Sequence, residues 1–218
     1  MTTGEPPQSF SDVSVPRRPA GVSYTEGEDH DAVALLESNG FGTSLEQLLS
    51  ALESDLGILQ AAAARTLGAR GEREAVPALE RLARDPDASE SARVQAAYGL
   101  ARLDVPAGRE VLAQELEGNP EASPAPLQAA GALARLGDPR GFGAVRTALD
   151  SPNRVTAMVA AKQLGAFAGQ EGVDLDEAFA RALERPEPLI GGEARAQLEE
   201  LGTDPARRLL AEHPPPDR

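Results

Sequence analysis

The chain has 218 residues, a formal net charge of −14, no cysteine, and 41 % apolar residues of which few are aromatic. This excludes a disulfide framework, thiolate metal sites and a cysteine nucleophile, and it disfavours a nucleic-acid binder, which needs a basic surface against phosphates. No run approaches the roughly 20 apolar residues of a membrane span, and the N-terminus lacks the basic start and apolar block of a secretory signal, so a soluble, cytoplasmic protein is expected.

Residues 1–27 carry Pro, Gly, Ser and Thr without helical or alternating periodicity and are expected to form a flexible arm. Phe10, Val13, Val15, Val22 and Tyr24 are its apolar points. From residue 28 the chain reads as helices. Residues 28–39 and 44–56 form a divergent first pair, "TSLEQLLSALES" being its clearer half. Leucines then recur near the end of successive helices, at Leu67, Leu103, Leu136, Leu164 and Leu201, at intervals of 36, 33, 28 and 37 residues. Unequal loops around a constant helical unit produce that variation.

Three residues before each anchor lie Ala64, Leu100, Leu133, Ala161 and Leu198. Six before lie Ala61, Ala97, Ala130, Met158 and Arg195, and nine before lie Ile58, Val94, Leu127, Val155 and Gly192. Steps of three and four place these positions on one helix face. The last copy departs at Arg195 and Gly192, as terminal repeats do. Gly68, Gly137, Gly165 and Gly202 follow four anchors and read as left-handed helix ends, with Asp104 in the second copy.

A second apolar helix follows each time: "EAVPALERLAR", "GREVLAQELEG", "RGFGAVRTALD", "LDEAFARALER" and "DPARRLLAEH". Asp85-Pro86, Asp138-Pro139, Ser151-Pro152 and Asp204-Pro205 read as helix starts. Residues 213–218, with three consecutive prolines, are expected to be a disordered tail. One helix pair cannot bury its own apolar face, so stacked copies must share a core.

The pattern "RVQAAYGLARL…REVLAQELEG", the Asp-Pro dipeptides and the acid-to-arginine links Asp85/Arg93 and Asp150/Arg154 resemble HEAT repeats. They are most similar to the short bacterial subclass known from phycobilisome lyases. The resemblance covers about residues 57–212, and 28–56 more weakly. It implies an all-α, right-handed α-solenoid of about five to six antiparallel helix pairs over residues 28–212, with an ARM-type superhelix. Its members include chromophore lyases, a di-iron hydroxylase, DNA-repair enzymes and scaffolds, so activity must be read from a site.

Chemistry is sparse. His30 and His213 sit near opposite ends, against a histidine triad or multi-histidine metal site. Glu212-His213 reverses the His-Glu order of the iron-dependent members. Glu199/Glu200, Asp174/Asp176 and Asp29/Asp31 read as solvated acids, because acid–base catalysis needs a pocket and separated pKa values. The "GFG" segments at 40–42 and 141–143 lack a phosphate-loop fingerprint and read as turn or packing glycines. No catalytic residue, cofactor or metal ligand is assigned.

Two charge features remain. Between Arg18 and Arg65 there is no Lys or Arg, while eight acids occur: Glu26, Glu28, Asp29, Asp31, Glu37, Glu46, Glu53 and Asp55. This end reads as a solvated cap or as a landing surface for a basic partner. On the second helices, Arg81, Arg84, Arg146, Arg181, Arg207 and Arg208 avoid the apolar positions and alternate with Glu80, Gln114, Glu117 and Glu184. Either they pair with local acids near helix C-termini, or they decorate the concave face that second helices line in HEAT solenoids. The expected function is a non-enzymatic adaptor or scaffold that binds a protein or peptide partner, a basic one fitting best. The contacts would be Arg81, Arg84, Gln114, Glu117, Arg146, Arg181, Glu184 and Arg207. The alternative is a lyase-like enzyme or enzyme subunit acting on a tetrapyrrole-type chromophore.

Overall fold

A computed structural model describes residues 24–215, with side chains from Gly27 onward, and contains twelve α-helices and no strand among the described residues. None of these helices is long and apolar enough to cross a membrane. The chain divides into two compact units on either side of the Val105–Pro106 bond. Within each unit the helices stack in pairs, the packing of an α-solenoid. Residues 1–23 of the expected arm and 216–218 of the expected tail lie outside the described residues.

The first unit holds α1 (Tyr24–Ser38), α2 (Leu45–Leu52), α3 (Gly57–Arg70), α4 (Val76–Arg84) and α5 (Glu90–Arg102). Its centre is α3, which packs against α1, α2 and α5. Every residue from Ala61 to Gly68 is buried. A helix with neighbours on several sides needs no polar stripe, so its alanines replace the usual amphipathic pattern. Small residues also decide how close α3 and α5 come. A Cβ placed on Gly68 would lie 2.5 Å from the Gly99 Cα, and one on Gly99 would lie 2.6 Å from the Ala64 carbonyl oxygen. The two backbones touch there, and any side chain would push them apart.

The acidic N-terminal end is divided rather than uniformly solvated. Glu37, Glu46, Glu53 and Asp55 are exposed. Asp29, expected in water, instead accepts hydrogen bonds from Arg65 Nε at 2.7 Å and Arg102 Nη1 at 2.7 Å. Glu28 accepts from Arg65 Nη2 at 3.1 Å. The buried Tyr98 ring lies 5.2 Å from the Arg65 guanidinium and 5.6 Å from that of Arg102. These bonds tie α1 to α3 and α5 near its N-terminal end. Consistent with that anchoring, α1 begins at Tyr24, four residues ahead of the expected start.

The second unit holds α6 (Pro106–Leu116), α7 (Ala125–Arg135), α8 (Phe142–Ala148), α9 (Arg154–Gln163), α10 (Leu175–Leu183), α11 (Pro188–Leu201) and α12 (Asp204–Glu212). Leu127, Leu133, Ala161, Leu164, Phe167, Phe179 and Leu198 are buried in it, as Leu100 is in the first unit. The rings of Phe142 and Phe167 meet at 5.2 Å. Buried Gln197 on α11 accepts from the Gly165 amide at 2.7 Å and donates to the Ala161 carbonyl at 2.9 Å. His213, at the start of the expected tail, is half-buried, and its carbonyl accepts from Arg195.

Three local expectations change. Left-handed backbone occurs at Asp104, Gly137 and Gly202 as expected, but in the first repeat it falls at Gly71, because Gly68 is spent on the α3–α5 contact, and Gly165 lies in a 3-10 turn after α9. Asp85-Pro86 and Ser151-Pro152 start connecting segments rather than helices; α5 and α9 are capped further on, by Ser89 and Asn153. Asp138 does cap a turn, that of Pro139–Gly141, and α12 is capped by Thr203. Finally, Ile58 and Val155 of the nine-before set are exposed, since each stands in the first turn of its helix, beyond the seam.

Candidate functional site

The second helices α4, α6, α8, α10 and α12 each bury one stripe. Leu79, Leu82 and Ala83 do so on α4, Val145 and Ala148 on α8, and Ala178, Phe179 and Ala182 on α10. The opposite stripe carries the charged candidates, as the 3.6-residue period requires.

Pairing divides these candidates. Arg181 is occupied: Nη1 donates to Asp150 at 2.8 Å and Nη2 to Glu177 at 2.8 Å. Arg207 is held by Asp204 and the Gly202 carbonyl. Glu184 faces His213 Nε2 at 3.6 Å. By contrast, Arg81, Arg84 and Arg146 are exposed and make no ion pair with any described residue. Gln114 on α6 and Glu117 just beyond it are likewise exposed, with side chains that engage no described residue. The Asp150/Arg154 link read from sequence is replaced by Asp150–Arg181, and Arg93 donates to the Ala88 carbonyl.

Within the first unit, α2 and α4 border a groove. Leu49, Leu52, Pro77, Ala78 and Leu82 supply its apolar surface, and Glu53, Gln60, Glu74, Arg81 and Asp85 its polar rim. Gln60 Nε2 donates to the Leu52 carbonyl at 3.2 Å, fastening the end of α2 to α3 beside the groove. Glu53, Glu74 and Arg81 are exposed and have no ion-pair partner among the described residues. Asp85 accepts from the Asp87 amide at 2.9 Å. The sequence reading named Arg81 here and counted Glu53 in the acidic N-terminal end, but missed Glu74, which stands in the turn before α4 and shares no motif with Glu53.

Carboxyl environments are perturbed elsewhere. Arg140 bonded beside Asp138 holds that carboxyl below its ordinary range, against some desolvation. Arg185 does the same for the Glu187 carboxyl. Both are local pairs within the second unit's turns. Among the described residues, no three His, Asp or Glu side chains converge as a metal site would require.

Residues 45–123, which span α2 to α6 and therefore this groove, match the family model for HEAT repeats. No curated protein matches the chain.

Proposed function

We propose that this chain, a HEAT-like repeat protein, is a non-enzymatic adaptor that holds a partner protein or peptide on its second helices. The observation that carries the reading is the unpaired state of Arg81, Arg84, Gln114 and Arg146, on helices whose other faces are committed to the core, and of Glu117 just past the end of α6. Arg181 and Arg207 show an exposed arginine taken up by a nearby acid. An unpaired one keeps its donors for another molecule. Rigid helices present such groups with little ordering cost, and charge complementarity then sets partner choice and register.

The test is affinity capture from native lysate with the wild type and an R81E/R84E/R146E variant, alongside circular dichroism. Loss of a specific partner from a variant with unchanged helicity supports the adaptor. Undiminished capture of every partner ends it.

A further inference from the structure

We infer that the α2–α4 groove seats a basic segment of the partner, anchored by an apolar side chain. This inference rests on the adaptor reading and narrows it to one site and one partner chemistry.

Leu52 and Leu82, each 6 % exposed, line the groove together with half-buried Leu49 and Ala78 and exposed Pro77. That is an apolar surface a side chain can cover. Around it stand three carboxylates, Glu53, Glu74 and Asp85, and one guanidinium, Arg81. No Lys or Arg occurs between Arg18 and Arg65, so α1, α2 and the first two turns of α3 supply no ammonium or guanidinium group. Unneutralised carboxylates beside an apolar wall create a local negative potential. Incoming Lys or Arg side chains would form charge-assisted hydrogen bonds with Glu53 and Glu74. Arg81, a donor only, would take backbone carbonyls or an acid of the same segment and so fix its direction. The Gln60–Leu52 bond holds the α2 wall in place before anything binds.

The probe is a fluorescein-labelled synthetic peptide in which leucines alternate with arginine pairs, titrated by anisotropy against the full chain. Binding is expected to weaken by about tenfold or more in E53K/E74K, and by less than about twofold in E171K/E212K, which changes net charge equally on exposed residues outside the groove. Peptides with glutamate for arginine, or serine for leucine, are expected to bind at least about tenfold more weakly. Equal binding by E53K/E74K, equal binding of the acidic peptide, or no binding of the basic peptide overturns the proposal. So does tighter binding by a V13S/V15S chain, which leaves net charge unchanged and would make the protein's own N-terminal segment the occupant. A dimer dissolved by E53K/E74K would make the occupant a second copy and also overturn it. If E53K/E74K still captures the partner that R81E/R84E/R146E loses, the groove chemistry fails and the adaptor reading stands. Capture by both variants removes both.

Discussion

Residues 24–105 and residues 106–215 build their inner helices from the same alanine-rich pattern but close their cores with different chemistry. In the first unit, α1 is fastened by Asp29 and Glu28 on Arg65 and Arg102, with both guanidinia against the Tyr98 ring. In the second, the Phe142–Phe167 contact and the hydrogen bonds of Gln197 perform the joining. The comparison teaches that small residues set how close the helices come, while the chemistry that closes each stack is free to vary. A buried ionic cluster is not inherently a stronger closure than an apolar one, because desolvation offsets much of the attraction. It does demand one register, since Arg65 must meet Glu28 and Asp29 together while Asp29 also meets Arg102.

Breaking the clasp should give the largest effect. Arg65→Met removes the arginine that Asp29 and Glu28 share, leaving Asp29 with Arg102, and is expected to cost about 2–4 kcal/mol. Urea unfolding would measure this, and hydrogen exchange should rise in α1 and α3 before the second unit responds. A cost below about 1 kcal/mol would show that the cluster relaxes into water, like a surface pair. Gln197→Leu is the corresponding cut in the second unit. It strands the Gly165 amide and is expected to cost about 1–3 kcal/mol, with faster exchange at that amide. Asp138→Ala should be the mildest, at about 1 kcal/mol for a lost cap. The Asp138 carboxyl is held below its ordinary range by Arg140. Its stabilisation is therefore complete above the ordinary carboxyl pKa and fades as pH falls through that range and below it. Wild-type and variant melting temperatures should converge in acid. A gap that stays constant down to the lowest pH would mean that the charge of Asp138 contributes nothing.

Much of this arrangement was legible in the chain. The leucine anchors and the alanines before them predict a buried seam, and Leu100, Leu133 and Ala161 are buried. The two GFG segments read as turn or packing glycines, and Gly40 adopts positive φ while Gly141 is pressed against Ala130. Gly68 misled because a glycine near a helix end has two uses, a left-handed cap or close approach to another helix. Only the position of Gly99 decides between them. Asp29 misled in the same way: its neighbours in sequence are acids, so it reads as solvated, whereas its partners lie 36 and 73 residues further on.

Helix identity, pair order and the small-residue seam follow from the sequence itself, because helical period and residue size act over a few positions of the chain. Which arginines are satisfied and which stay open was decided only by tertiary packing. Arg181 meets Asp150 from 31 residues away, while Arg81 and Arg84 meet no described acid. Whether a charge is paired is a property of distances in space, and one-dimensional spacing encodes those only within a turn or two of helix.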